Sequence, residues 1–491
     1  MHRIRETFAS AAITPLAYVD TYGCQQNESD SEKLRGMLCE MGYAMTDDTY
    51  AADIVVINTC AIRENAENRV YGNIGELIHT KTAKRTQIIV LCGCMAGIPK
   101  VTSTIHQSYK HVDLVFPPQS LWLFPELLYA VMFRNSLDTA PPYIESSGRL
   151  FFEGDTDGVI AEGLPAMRDG AIKAWLPVMY GCDNYCSYCI VPYVRGRERS
   201  RTPDAVLDEA RSLVANGYKD ITLLGQNVNS YGRGLKTSGR ENGYLIAPTI
   251  QFAHENESHI TLSKDTTDFA SLLRQINDIK GDFLIRFMTS HPKDASESLF
   301  RAMAESEKIA KHIHLPFQAG NDRILRLMNR GYTKAEYLQK VALARSYMPD
   351  IVITSDVIVG FPGETDEEFE DTLRLIEEAR FDAMFTFIFS KRPGTPAAAL
   401  EDNVSREQKQ VRFDRLINLQ NVISEEKHSQ YIGKTLRVLV DEYTDDKAHP
   451  LRARTNGGRL VHLSGDTGLV GGFIEAKITH CSTWSLFGEA L

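Results

Sequence analysis

Short apolar runs alternate with amphipathic helical periods along most of this chain, and that alternation limits its fold more than any other feature. Residues 16–21, 53–58 and 87–91 read as strands, with helical periods at 28–41 and 64–79 between them. Residues 113–116 and 121–133 suggest a further strand and helix. Strands this apolar, separated by helices, predict a doubly wound parallel sheet covered on both faces. The same rhythm resumes at 175–180, 220–224, 283–288, 312–315, 351–359 and 383–389. Six such repeats predict a partial (β/α)6 barrel, open on one side. Four short β patterns after residue 431, divided by turn signals at Asp445-Asp446 and Asn456-Gly457-Gly458, predict a small β-barrel. The resulting plan is α/β throughout: a sheet domain at 14–140, a Pro- and Gly-rich linker at 141–170, a barrel at 171–400, a helical connector at 401–430 and a β module at 431–491. A polar stretch at 236–264 interrupts the second barrel repeat and reads as a surface excursion.

Composition narrows the function classes. No apolar run is long enough for a membrane span and no leader-like stretch opens the chain, so a cytoplasmic monomer with no membrane partner is expected. A net charge of −10 argues against nucleic-acid binding unless basic residues are clustered. Nine cysteines in such a chain point to metal or catalysis rather than disulfides.

Cys182, Cys186 and Cys189 stand at CxxxCxxC spacing just after the first barrel strand. Zinc in a structural site takes four protein ligands, and the nearest histidines are the distant His111 and His254. An iron–sulfur cubane can use three thiolates and keep one iron open, so spacing and setting favour a cluster. Cys24, Cys60 and Cys94 each lie just past the end of a predicted strand. Parallel sheets bind ligands in the crevice at those ends, so a second metal site is expected there. Cys39 is expected in the core, Cys92 on the other face of its strand, and Cys481 in a structural role.

Barrel chemistry belongs at the C-terminal strand ends. Loops carrying Gln226, Ser290 and Gln318 fall there, and the glutamines are candidates to bond a ribose or carboxylate. Arg195, Arg197, Arg199 and Arg201 follow the cysteine loop at alternate positions. If that segment is extended, all four project to one side as a phosphate-binding patch.

Cys182-x-x-x-Cys186-x-x-Cys189, with Tyr188 before the last cysteine, resembles the signature of the radical S-adenosylmethionine (SAM) enzymes. Residues 21–27, 58–63, 93–96 and 181–201 resemble the methylthiotransferases, and the run 190–201 is closest to the MiaB branch, which acts on tRNA. Gln26 and Ala319 depart from the family pattern. The last segment is similar to the TRAM RNA-binding module. The resemblance implies two 4Fe–4S clusters: one on Cys182, Cys186 and Cys189, with SAM at its open iron, and an auxiliary one on Cys24, Cys60 and Cys94. It also implies that Tyr188, Gln226, Ser290 and Gln318 contact SAM and that the four arginines contact tRNA. The implied reaction is methylthiolation at C2 of N6-isopentenyladenosine beside the anticodon. It uses two SAM per turnover, an electron donor such as flavodoxin or ferredoxin, and a sulfur source. On this reading one SAM would methylate a sulfur on the auxiliary cluster. The second would yield the radical that removes the C2 hydrogen. The rival readings are a sister methylthiotransferase, acting on threonylcarbamoyladenosine in tRNA or on a ribosomal-protein aspartate, and a non-catalytic iron–sulfur RNA-binding scaffold.

Overall fold

The computed structural model describes residues 1–61, 64–133, 145, 147–153, 159–233, 235 and 267–491, with only the backbone at 64–66. The 236–264 excursion, Ile62, Arg63 and parts of the 141–170 stretch lie outside the described residues.

The first domain runs α1 (His2–Ser10), β1 (Leu16–Thr21), α2 (Gln25–Glu40), β2 (Ala44–Met45), β3 (Ile54–Thr59), α3 (Glu64–Ala83), β4 (Ile88–Gly93), α4 (Pro99–Ser108), β5 (Leu114–Val115), α5 (Phe124–Phe133) and β6 (Leu150–Phe151). Its sheet order is β2-β1-β3-β4-β5-β6, and every pairing is parallel. Alternation along β3 explains its apolar run. Ile54 and Val56 pack with Leu34, Met37 and Leu38 of α2, while Val55 and Ile57 pack with Val70 and Ile74 on the other face. Each such side chain contributes roughly 1.5–3 kcal/mol on burial. Cys92 joins the first of these cores and Cys94 the second, so they do lie on opposite faces. Cys39 does not enter the core: it is exposed, because the α2 stripe of Leu34, Met37, Leu38 and Met41 leaves position 39 outside it.

The stretch expected as a linker is partly built into this domain. Leu150 and Phe151 form β6. Before them, buried Arg149 donates to the carbonyls of Ile105, His106, Tyr109 and Val112. A two-residue strand held by one arginine has too little periodicity to read from sequence.

The barrel comprises β7 (Lys173–Pro177), β8 (Met179–Tyr180), α6 (Val191–Arg195), β9 (Arg199–Ser200), α7 (Pro203–Ala215), β10 (Asp220–Leu224), α8 (Phe269–Asn277), β11 (Leu284–Phe287), α9 (Glu297–Glu305), β12 (His312–His314), α10 (Asp322–Leu327), α11 (Lys334–Tyr347), β13 (Val352–Val359), α12 (Asp366–Ala379) and β14 (Ala383–Ile388). Two parallel sheets, β11-β10-β7 and β12-β13-β14, meet through a bridge between Ile285 and Ile309. Among the described residues β7 and β14 do not pair, so the barrel is open between them. Thr202 caps α7 by accepting from the Ala205 N–H, with Pro203 in the first turn.

Helix α13 (Arg406–Ser429) leads to a closed barrel of β15 (Thr435–Tyr443), β16 (Leu451–Thr455), β17 (Leu460–Ser464), β18 (Phe473–Cys481) and β19 (Leu486–Ala490). The sequence pattern missed β19, whose Gly488 and Glu489 interrupt the apolar alternation. The turn between β16 and β17 docks on the N-terminal strand ends of the larger barrel. There the Lys311 N–H donates to Asn456 Oδ1 at 2.6 Å, and Arg286 donates to the Asn456 and Thr455 carbonyls. Arg459 pairs with Asp382 just ahead of β14. Among the described residues no helix is long and apolar enough to cross a membrane.

Candidate active site

The CxxxCxxC loop leaves β8 through Gly181, at φ 76°. A Cβ at that position would sit 2.0 Å from the Arg197 carbonyl oxygen, so no larger residue fits. The Gly181 N–H donates to Gln226 Oε1 at 2.5 Å, which ties the loop to the end of β10. Gln226 therefore holds backbone. Cys182 and Cys186 are buried, and Cys189 is half-buried. Burial pushes the Cys182 thiol up to about 11. Burial, with Cys186 nearby, pushes Cys189 up to about 12. Protein surroundings alone thus favour the protonated thiols, and a ligated metal reverses that preference.

Cys186 has a cation beside it. Arg330, 4% exposed, donates from Nη1 to Cys186 Sγ at 3.1 Å and to Tyr188 Oη at 3.3 Å. Its Nε donates to Tyr332 Oη and its Nη2 to the Pro316 carbonyl. None of these partners is a carboxylate. A buried guanidinium without an acid is costly, and deprotonated thiolates would supply the missing negative charge. Tyr188 is thus placed against Arg330, and its phenol is pushed up by burial.

Around this loop, polar atoms end without partners. Ser187 Oγ, Ser290 Oγ, His291 Nε2 and Gln318 Oε1 are buried with no hydrogen-bond partner among the described residues. Buried polar atoms are normally satisfied, so this ring suits a polar ligand at the strand ends. Backbone strain gathers there too. Tyr185, Thr289, Gln318 and Asn329 have positive φ, four of the six such non-glycine residues among those described.

The second trio is assembled from three strands. Cys24 follows β1, Cys60 follows β3 and Cys94 follows β4. Gly23 brings the first two together: a Cβ there would meet Cys60 Cβ at 2.7 Å and Sγ at 3.1 Å. Asn27 organises the group. Its Nδ2 donates to the Tyr22 and Thr59 carbonyls, and its Oδ1 lies 3.7 Å from Cys24 Sγ. Arg195 completes it, with Nε donating to Cys94 Sγ at 3.3 Å. Its Nη2 donates to Asn27 Oδ1 at 2.8 Å and to Asp30 Oδ2 at 2.9 Å. Burial raises the Cys94 thiol, and Arg195 opposes that rise. Among the described residues, no three His, Cys, Asp or Glu side chains close around a single ion.

The arginine row expected on one side does not form, because the segment is not extended. Arg195 ends α6, and Gly196 then turns the chain at φ 73°. Arg195, Arg199 and Arg201 are buried. Arg201 pairs with Glu162 and Glu209, and Arg199 donates to the Arg195 carbonyl. Arg197 alone remains at the surface, paired with Asp183 at 2.9 Å. Sequence reasoning missed Arg330, Asp30 and Asn27 as site residues. Asn27 stands within a quoted motif, but nothing local marks Arg330.

Residues 176–376 match the Radical SAM superfamily, residues 16–117 the family described as "Uncharacterized protein family UPF0004", and residues 429–491 the TRAM domain. A relative from Acetivibrio thermocellus, named tRNA-2-methylthio-N(6)-dimethylallyladenosine synthase, is 47% identical over 96% of this chain and 90% of its own. The chain belongs to the tRNA-2-methylthio-N(6)-dimethylallyladenosine synthase family. A family member of the same name from Clostridium novyi is 43% identical over 96% of each chain. Among solved structures, the radical SAM methyltransferase TsrM from Kitasatospora setae has a TM-score of 0.53 at 16% identity, covering 79% of this chain and 75% of its own. That likeness is one of fold. The Radical SAM match over residues 176–376 implies a 4Fe–4S cluster and SAM.

Proposed function

We propose that this enzyme inserts a methylthio group at C2 of N6-isopentenyladenosine in tRNA. Cys182, Cys186 and Cys189 would hold the 4Fe–4S cluster that binds SAM, with Ser290, Gln318 and Tyr188 beside it. Cys24, Cys60 and Cys94 would hold a second 4Fe–4S cluster that carries the sulfur. Bound there, these groups supply radical chemistry, which suits C2 because that carbon is too weakly acidic for a protein base. The chain's own residues hold the two sites in register. Arg330 and Arg195 each donate to one thiol of a trio, and the ring of unpartnered atoms offers hydrogen bonds to a polar ligand. Two SAM per turnover, an electron donor of the flavodoxin or ferredoxin kind, a separate sulfur source and a monomeric enzyme complete the reading. Of the four arginines, Arg197 stays where a tRNA phosphate can compete with Asp183.

One observation carries this reading. Arg195 ends the helix that directly follows the Cys182–Cys189 loop, and its side chain reaches Cys94 of the other trio. The two sites are therefore neighbours across the domain boundary. Reconstituted protein with reductant, SAM and isopentenylated tRNA is expected to yield the methylthio nucleoside by mass spectrometry. Cys24→Ala is expected to abolish that product, and an unchanged yield would rule out the sulfur-carrying role of its trio.

A further inference from the structure

The last barrel strand leaves two rings uncovered. Along β14, Met384 packs into the core, whereas Phe385 is 53% exposed and Phe387 36% exposed. Their neighbours across β13 are Asp356 and Ile358. Phe385 also meets the His314 ring of β12 edge to face, with centroids 6.0 Å apart. His314 Nε2 in turn lies 3.4 Å from Asp356 Oδ2. These contacts turn the rings into the lumen of the partial barrel, beside its open seam. The level along the barrel follows from Gln318. Its N–H donates to the Asp356 carbonyl, and its own carbonyl accepts from the Ile358 N–H. The two rings thus lie one strand away from the unpartnered Gln318 Oε1, at the end of the barrel that carries the radical trio.

Exposed rings inside a lumen mark a place where apolar surface is meant to be covered. We propose that Phe385, Phe387 and Ile358 form the pocket for the apolar N6 substituent of the substrate adenosine, with Asp356 accepting from the remaining N6–H. This rests on the substrate reading above. The substituent's chemistry decides the occupant. An isopentenyl group is branched, uncharged and free of hydrogen-bonding atoms, so the rings can enclose it without stranding a polar group. A threonylcarbamoyl group carries a carboxylate, which would meet apolar rings and the like charge of Asp356. The pocket would therefore choose between the two tRNA substrates by rejection as well as by fit.

The test is binding of anticodon stem-loops to anaerobically reconstituted holoenzyme by fluorescence anisotropy. The parent is expected to prefer the isopentenylated RNA over its unmodified counterpart by about tenfold or more. A Phe385→Ala/Phe387→Ala double variant, with the parent's iron and sulfide content, is expected to bind both RNAs alike. Phe387→Leu keeps an apolar wall and is expected to retain most of the preference, which separates the pocket from any loss of fold. Asp356→Asn is expected to ease the rejection of threonylcarbamoylated RNA. A preference that survives in the double variant, or is missing from the parent, would overturn the pocket. The parent's methylthio product, assayed alongside, reports on the function itself. Product with an unaffected preference overturns the pocket alone, and no product from the parent overturns both.

Discussion

Cys182, Cys186 and Cys189 arrive on one loop, while Cys24, Cys60 and Cys94 come from the ends of three separate strands. Each trio nevertheless has one buried arginine donating to one sulfur, Arg330 to Cys186 and Arg195 to Cys94. The arginines differ in what else they touch. Arg195 also binds the Asp30 carboxylate, so its charge is balanced within the protein. Arg330 touches a thiol, two phenols and a carbonyl. The scattered site thus has an electrostatic frame of its own, and the local site depends on thiolate charge that metal ligation would create.

The sharpest way to break this comparison is to remove one cysteine from each side. Cys186→Ala is expected to abolish SAM cleavage and to leave about half the iron. Cys94→Ala is expected to abolish the methylthio product while 5′-deoxyadenosine still forms. If both variants lose SAM cleavage equally, the two sites do not divide the chemistry.

The arginines give the next largest effect, with opposite outcomes in the apoprotein. Arg195→Gln removes the ion-pair partner of buried Asp30, leaving it with the Gln26 amide and nearby Lys33, which is expected to cost about 3 kcal/mol in urea unfolding. Arg330→Gln removes a buried cation that has no acid, so apoprotein stability is expected to stay within about 1 kcal/mol while iron content falls. Equal destabilisation would mean that the two guanidinium groups have equivalent surroundings after all.

The difference between the trios also explains what could be read from the sequence. The CxxxCxxC loop stands out because its three cysteines are close in sequence and their spacing carries the meaning. The second trio stands out because Cys24, Cys60 and Cys94 repeat one position in three βα units. Arg330 does not, because it reaches Cys186 across 144 positions and no local pattern marks it. The arginine row failed for a related reason. Alternation implies one-sidedness only in extended backbone, and α6 with Gly196 breaks that condition. Phe385 and Phe387 were legible only as part of a strand at 383–389, since periodicity does not say which face the open barrel leaves uncovered.

The smallest effect tests a region remote from both trios. His428 is buried where α13 meets the small barrel. Its Nε2 faces Arg459 Nη1 at 3.1 Å and its Nδ1 faces the Ser424 carbonyl, the pattern of a neutral ring. Burial, with Arg459 beside it, pushes its pKa from 6.5 down to about 4. The unfolded chain therefore takes up a proton below pH 6.5 that the folded chain refuses, and stability falls as acid is added. Between pH 7 and pH 5 this one group is expected to cost about 2 kcal/mol in urea unfolding. His428→Gln is expected to flatten that part of the pH dependence, and an unchanged slope would place the acid sensitivity elsewhere.

The turn at Asn456 and Gly457 docks on the opposite end of the large barrel from the cysteines. The molecule is therefore a caliper, with the cysteine-bearing jaw at one end and the small barrel as the other. Its gauge follows from β13, whose eight residues extend about 26 Å along the strand and, with the tilt of a barrel strand, roughly 20 Å along the axis. An RNA held in both jaws at once must reach at least that far along the barrel's flank, which a free nucleoside cannot do.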